Sequence, residues 1–284
     1  MHHQSFYETG VYRSEMPAHL PVADRVRAKD QVRGNGIYDT SSMPLVSSSN
    51  HLIQSFSVRM FELLRPAIRT VKLKSEQYVF HQDDEVDYIY FPESAVISEF
   101  KILVDGRMVE VAIAGRDTAV GLSTFVSRST RANCTQVVQS GTASRVVFSD
   151  FVRLTKGHRD LDRVLDAYLK RYFRQLTQKA ICNMFHSVEE RLCTWLLMLE
   201  DRCGRGQLIL THEQIARAIG VHRPSISRIA RVLKKNELIG YSRGNLSIRD
   251  RAHMEKFACA CYQELRSDPV KNDFMPAADW KQVG

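Results

Sequence analysis

The twenty residues from His212 to Arg231 hold the side chains whose types and spacing are best suited to chemistry. They read HEQIARAIGVHRPSISRIAR. Aliphatic residues recur at helical spacing on both sides of Gly220, a residue suited to the positive φ that ends a helix. Ala216 is small where two helices would cross, and Pro224 falls in a first helical turn, where its missing N–H is harmless. The segment therefore predicts two short helices joined by a tight turn.

The outward face of the second predicted helix is polar and basic. Its members are Arg223, Ser225, Ser227, Arg228 and Arg231. A helix-turn-helix that reads DNA needs a fixed helix crossing, with short polar or long basic side chains at the exposed start of the second helix. The alternative is an ordinary helical hairpin with a solvated charged face. The joint pattern favours DNA binding over that alternative.

Positive charge is concentrated around this segment. The chain of 284 residues has a formal net charge of +8. Between Asp201 and Arg251, eleven Lys and Arg residues stand against four Asp and Glu residues, a net of +7. A localised positive field indicates a polyanionic partner, whereas charge that serves only solubility would be spread more evenly.

The other reactive residues indicate neither an enzyme nor a metal site. We find no nucleophile–base pair, phosphate loop or metal motif, and none of the six cysteines has Cys-x-x-Cys spacing. Cys259 and Cys261 are expected on one helix, where their side chains would diverge by roughly 200°. We interpret the cysteines as reduced thiols of a cytoplasmic protein without bound metal; a thiol switch at Cys134 or Cys182 is the alternative. No apolar run approaches the ~20 residues of a membrane span, and no secretion signal is visible.

Hydrophobic periodicity divides the first half of the chain. Residues 1–50 are weakly patterned and are expected to form a loosely packed extension. Residues 52–64 have helical spacing that ends before Pro66. From residue 68 to 151, short runs rich in Val, Ile, Tyr and Phe alternate with turn signals such as Asp105-Gly106. This alternation predicts a small β-barrel or roll.

A long helix from Asp160 to Asn183 is predicted, with apolar residues on two faces. One stripe consists of Leu161, Leu165, Tyr168, Tyr172, Leu176 and Ala180, and a neighbouring face carries Leu169, Phe173 and Met184. Two apolar faces call for two partners, one being the chain's own barrel and the other the same helix of a second subunit. We assign the first stripe to the dimer interface. The alternative is a single helix buried within a monomer.

The remaining sequence predicts four elements and a polar tail. Residues 187–199 form a helix that begins with a capping box, and 207–210 form a strand that leads into Thr211, the N-cap of the first short helix. Residues 238–248 alternate as a β-hairpin wing, and 249–265 form a closing helix. Residues 267–284 are the tail.

The chain resembles the cyclic-AMP receptor protein / fumarate-nitrate regulator (CRP/FNR) family of bacterial transcription factors, and looks most like a proteobacterial branch. The segments that carry the resemblance are YIYFPES at 88–94, DGRMVEVA at 105–112, GRD at 115–117, HRPS at 222–225 and ACACY at 258–262. The resemblance covers about residues 52–266 and implies an α+β fold. Its parts would be a cyclic-nucleotide-binding-like β-roll (51–158), a long dimerisation helix (159–184) and a C-terminal winged helix-turn-helix (185–266).

The resemblance also implies partners and roles for single residues. It implies a homodimer on a near-palindromic double-stranded DNA site, with RNA polymerase as a further partner. The positions matching base-reading residues are Arg223, Ser225, Ser227 and Arg228, and those matching phosphate contacts are Thr211, His222 and Arg231. Arginine suits base reading because its fork can donate twice to guanine. Pro224 stands where the family has a glutamate, so the usual half-site sequence is not expected.

The family's β-roll often binds cyclic AMP through a carboxylate and an arginine, and both are missing here. Gly121-Leu122-Ser123 replaces the expected Gly-Glu-Leu, and the expected Arg-Ser falls at Asn133-Cys134, with Arg131 out of register. We expect no cyclic AMP binding of the family kind and no cofactor, because an ionic clamp and a hydrogen-bond acceptor are lost. Any pocket for an unidentified effector would contain Gly121, Leu122, Ser123, Arg131 and Cys134. The alternative function is a sensor that acts mainly through protein partners.

Overall fold

The computed structural model describes residues 48–127, 133–204 and 206–266. The expected extension lies outside these residues except for its last three, and the expected tail lies wholly outside them. No helix in the described ranges is both long enough and apolar enough to cross a membrane.

Two short helices open the described chain where the spacing predicts one. Helix α1 spans His51–Gln54 and α2 spans Val58–Leu64, followed by a 3₁₀ turn at Arg65–Ala67. The prediction of one continuous helix is wrong because Ser57 caps α2: its hydroxyl accepts from the Met60 N–H and donates to Asp160 Oδ2 at 2.6 Å.

Among the residues that the structure describes, seven antiparallel strands form the predicted β-roll. They are β1 (Arg69–Leu73), β2 (Tyr78–Phe80), β3 (Tyr88–Pro92), β4 (Val96–Ile102), β5 (Met108–Ala114), β6 (Cys134–Gln139) and β7 (Gly141–Val147). One sheet has the order β1-β7-β3 and the other β2-β6-β4-β5. The β4–β5 hairpin turns at Asp105-Gly106 as predicted, with Gly106 at φ +82°. Two short helices, α3 (Leu122–Ser127) and α4 (Phe148–Thr155), pack on the roll.

Helix α5 (Arg159–Phe185) is the predicted long helix, but its faces are used differently. Leu161 and Tyr168 are buried in the core of the chain's own roll, so assigning them to a dimer interface is wrong. Tyr172 also faces the roll, where its hydroxyl donates to Glu99 Oε2 at 3.0 Å. The periodicity shows two apolar faces without showing which one the roll covers.

The C-terminal domain begins with α6 (Val188–Cys203), which starts at the predicted Ser187–Glu190 capping box. It continues through β8 (Leu208–Ile209), α7 (His212–Ile219), α8 (Arg223–Lys235), β9 (Ile239–Ser242), β10 (Asn245–Ile248), α9 (Arg251–Phe257) and α10 (Cys261–Arg266). The predicted closing helix is therefore two helices. It breaks because the backbone N–H of Cys259 donates to the Thr194 hydroxyl at 3.2 Å instead of to a helical carbonyl.

Two carboxylates, the buried one of Glu110 and the partly buried one of Asp117, join the roll to the rest of the chain. Glu110, on β5, accepts from Ser98 in its own sheet (2.7 Å), Lys179 on α5 (3.0 Å) and Trp195 on α6 (3.1 Å). Asp117 lies 3.2 Å from the Arg202 guanidinium on α6 and 3.7 Å from that of Arg171 on α5. Charged groups therefore link the roll, α5 and α6.

The Asp117 carboxylate should be a strong contributor to stability. Burial raises its pKa, but the guanidiniums of Arg202 and Arg171 outweigh burial and hold the pKa below its usual value. A depressed folded-state pKa means that this stabilisation is present above about pH 4 and is lost as pH falls through the folded pKa. Asp117→Asn should lower the free energy of unfolding by about 3 kcal/mol at neutral pH and reduce its acid dependence.

Chemical denaturation at several pH values measures both effects. Asp166→Asn is the matched control, because Asp166 pairs with Lys170 on the exposed surface of α5 and should cost at most about 0.5 kcal/mol. Equal losses in the two variants would show that the Asp117 cluster does not stabilise the junction.

Candidate DNA-binding site

The turn between α7 and α8 has the predicted geometry. Gly220 lies in the left-handed region, at φ +74° and ψ 41°. The backbone N–H groups of Gly220 and Val221 donate to the Ala216 carbonyl at 2.9 and 3.0 Å. Ala216 is buried where the helices cross. These bonds close the end of α7 and fix the direction in which α8 leaves.

Helix α8 separates an apolar face from a basic face. Its buried residues are Ile226, Ile229, Ala230 and Leu233. Arg223, Arg228 and Arg231 are exposed on the opposite side. Within the described ranges, no hydrogen bond or ion pair engages their side chains, so their donors are available to an external partner.

The serines on this helix are less free than the arginines. Ser227 Oγ lies 2.9 Å from His212 Nδ1, and the His212 ring stacks on Tyr241 with centroids 4.7 Å apart. Tyr241 in turn donates its hydroxyl to the Leu210 carbonyl at 3.0 Å. Ser225 is half-buried. The chain of contacts through His212 braces α8 against α7 and the wing, a role that sequence analysis missed because nothing local to His212 signals it.

Burial, and secondarily the charge of Arg223, lower the pKa of His212. The ring is therefore neutral at neutral pH, when one nitrogen can accept from or donate to Ser227. A neutral ring also adds no further positive charge beneath the arginines.

The residues predicted to contact phosphates differ in whether their side chains are already hydrogen-bonded within the protein. Thr211 is the predicted N-cap of α7: its hydroxyl accepts from the Gln214 N–H at 3.2 Å and donates to the Gln214 side chain at 3.0 Å. The Thr211 hydroxyl is therefore already engaged. His222 is exposed at the N-cap position of α8 and makes no side-chain capping bond.

The predicted wing is present and carries residues that sequence analysis counted as charge without assigning to the site. Strand β10 pairs with both β8 and β9, and the β9–β10 hairpin turns at Arg243 (φ +48°) and Gly244 (φ +83°), as in a two-residue hairpin turn. Arg243 at this turn and Lys235 at the end of α8 are exposed and have no hydrogen-bond or ion-pair partner among the described residues. The sequence signal that could have assigned Arg243 to the site is a basic residue directly before glycine in a short hairpin.

Three other basic residues of the region form ion pairs with acids of the same chain. Arg202 binds Asp117, Arg217 lies 3.8 Å from Glu76, and Arg251 binds Glu200, Asp201 and Glu255. Among the described residues of this region, the basic side chains without an ion pair lie on α8 and in or directly beside the wing. This is a narrower surface than the net charge of the segment indicates.

The described residues of the expected effector pocket lie in the packed interior of the roll. Leu122 and Cys134 are fully buried there, and Arg131 lies outside the described residues. Gly121 is packed so closely that a Cβ atom there would lie 2.9 Å from the Tyr88 carbonyl oxygen. A pocket at this place stays a prediction. Ser123 is half-buried on α3.

A cavity that the sequence did not predict lies where α5 and α6 meet the roll. Its volume is about 150 Å³, and its lining includes Arg116, Asp117, Arg171, Asp201 and Arg202. A smaller cavity of about 10 Å³ lies between the roll and α5 beside Glu99. The smaller cavity has room for about one water molecule.

The interpretation that Cys259 and Cys261 point apart on one helix is wrong. Cys259 lies in the break between α9 and α10, and Cys261 is the first residue of α10. Both lie with Cys182 and His186 in a group whose potential ligand atoms are all within 4.8 Å of one another. This group is the candidate metal site within the described ranges.

Comparison with known families matches both halves of the fold. The model of the cyclic nucleotide-binding domain matches residues 70–157, and that of the Crp-like helix-turn-helix domain matches residues 190–257. The cyclic AMP receptor protein of Thermus thermophilus is 22% identical over 181 residues, which cover 63% of this chain and 83% of that protein.

Solved structures share the fold. FixK2 from Bradyrhizobium japonicum has a TM-score of 0.58 at 18% identity, covering 68% of this chain and 98% of that one. A CRP-family transcriptional regulator from Thermus thermophilus has a TM-score of 0.56 at 18% identity, covering 66% of this chain and 96% of that one. With a nucleotide-binding-type roll, a long helix and a helix-turn-helix whose basic face is unpaired, the chain belongs to the CRP/FNR family of DNA-binding transcriptional regulators.

Proposed function

We propose that this protein acts as a homodimer that reads a near-palindromic DNA site and does not depend on cyclic AMP. The observation that carries the proposal is the set of three unpaired arginines on the exposed face of α8. Their charge suits phosphates, and the two-pronged donors of Arg223 and Arg228 suit guanine edges. Arg243 at the wing tip and Lys235 extend this surface.

The corrected faces of α5 favour a dimer along a different stripe. Phe173, Met184 and Phe185 are 60%, 76% and 74% exposed, which is costly for large apolar side chains. The new stripe is Leu165, Leu169, Phe173, Leu176, Ala180 and Met184, spaced by three or four residues as in a coiled-coil seam. Leu165, Leu176 and Ala180 also belong to the stripe that the sequence pattern assigned to the dimer interface. A second copy of α5 is the partner that fits this seam.

Independence from cyclic AMP is supported by what the roll contains. The position of the family's acid is held by Leu122, buried in the apolar core. The cavity between the roll and α5 beside Glu99 is only about 10 Å³, and the Glu99 carboxylate at its border is bonded to Tyr172. A cyclic nucleotide could enter this cavity only if α5 moved. Contact with RNA polymerase remains a prediction from the family resemblance.

The first prediction separates base contacts from phosphate contacts. Arg228→Ala should weaken binding to the cognate site by about 1–3 kcal/mol and relax the base preference. Arg231→Ala should weaken binding to all sequences and lower the slope of log K against log salt by about one unit. Fluorescence-anisotropy titrations of cognate and scrambled duplexes at several salt concentrations measure both. Identical behaviour of the two variants would contradict these roles.

The second prediction concerns the seam on α5. Phe173→Glu should raise the dimer dissociation constant by at least about 100-fold, because two apolar contacts are lost and two like charges are brought together. Val58→Glu is the matched control, since Val58 is 81% exposed on α2, outside the seam. Sedimentation equilibrium measures the mass of each variant. A Phe173→Glu protein that stays dimeric while folded would exclude this seam.

The third prediction concerns the effector. Isothermal titration of the purified protein with cyclic AMP should give no binding isotherm at micromolar concentrations. A protein known to bind cyclic AMP, titrated in the same buffer, is the control. Saturable micromolar binding would contradict the proposed independence and would require the roll to open between β5 and α5.

A further inference from the structure

Four potential metal ligands meet where α5 ends and the DNA-binding domain closes. Cys182 and His186 are four residues apart at the end of α5, a spacing that places two side chains on one side of a helix. Cys259, in the break between α9 and α10, and Cys261, the first residue of α10, come more than seventy residues later in the chain. The cluster is therefore a product of tertiary structure.

The distances within the cluster suit tetrahedral coordination. Cys182 Sγ lies 3.5 Å from Cys259 Sγ, and Cys261 Sγ lies 3.5 Å from His186 Nδ1. All four ligand atoms lie within 4.8 Å of one another. A zinc ion with Zn–S near 2.3 Å and Zn–N near 2.1 Å places its ligand atoms roughly 3.5–3.8 Å apart. Small side-chain movements would bring the present group to that geometry.

The surroundings hold the sulfur atoms in place. Cys182, Cys259 and Cys261 are 7%, 4% and 2% exposed and form a cluster separate from the three larger hydrophobic clusters. The Thr194 hydroxyl lies 3.0 Å from Cys259 Sγ and accepts the Cys259 N–H. Such a contact, made by a residue that does not itself bind the metal, fixes the orientation of a ligand. The Cys182–Cys259 sulfur separation is well beyond a disulfide bond, which is about 2.05 Å.

We propose that Cys182, His186, Cys259 and Cys261 bind one zinc ion. Three thiolates and one imidazole form a closed four-ligand set typical of a structural zinc, with no position left open for a substrate. His186 is the C-cap of α5 and Ser187 the N-cap of α6, so the site lies at the joint between the long helix and the DNA-binding domain. The ion fixes that joint and fastens the chain's last two described helices to it.

Metal content of the full-length protein is the direct test. The protein is expressed with added zinc and purified under reducing conditions without chelators, and metal is measured by mass spectrometry of the native protein and by elemental analysis. We expect one zinc per chain. Cys259→Ser and Cys261→Ser should lose it, whereas Cys134→Ser, which removes an equally buried thiol from the roll, should keep it. Stripping zinc from the unmodified protein should lower its melting temperature.

Cobalt substitution in the unmodified protein keeps the proposal testable if a cysteine variant fails to fold. Bound Co²⁺ should show the intense visible bands of a tetrahedral site and thiolate charge-transfer absorption. Three results would overturn the proposal: a reduced protein that holds no metal and gives no such bands, iron with inorganic sulfide in place of zinc, or a Cys182–Cys259 disulfide in the protein as isolated. Each can be read without measuring DNA binding.

Discussion

The buried carboxylate of Glu110 is the interaction on which the arrangement of the three parts depends. It is 2% exposed and accepts hydrogen bonds from its own sheet, from α5 and from α6. A charge buried this deeply is tolerated only while its partners are present, because removing one leaves an uncompensated charge. The roll, the long helix and the DNA-binding domain are therefore held in one arrangement by a contact that none of them can make alone.

The DNA-binding surface depends on a second constraint. An arginine side chain is available to DNA only when it is not already paired with an acid of the same chain. In this domain, arginines that lie near acids form ion pairs within the chain, as Arg251 does with Glu200, Asp201 and Glu255. Those on α8 have their apolar neighbours turned inward and, among the residues that the structure describes, no acid close enough to form an ion pair. The bracing contacts of His212 hold the helix still without using its arginines.

Features with a local cause could be predicted from the sequence. Gly220 ends α7, Ser187 and Thr211 cap their helices, and Asp105-Gly106 turns its hairpin, because each depends on a few neighbouring residues. The separation of buried and exposed positions on α8 follows from its periodicity in the same way.

Features with a distant cause could not be predicted. The choice of which apolar face of α5 meets the roll depends on residues of the β-sheets, so the stripe pattern assigns Tyr168 to the wrong partner. The break before α10 depends on Thr194, which lies 65 residues before Cys259. The cysteine–histidine cluster was missed for that reason, since it exists only because of that break. The complete burial of Leu122 likewise depends on packing that no local pattern reveals.

Selection from random duplexes tests whether a dimer presents two α8 helices to one symmetric DNA site, as we propose. Purified protein, without added ligand and at physiological salt, is used to enrich bound duplexes, which are then sequenced. We expect a two-fold symmetric motif with half-sites about one DNA turn apart. Enrichment of nothing beyond salt-sensitive, sequence-independent binding would contradict the proposal.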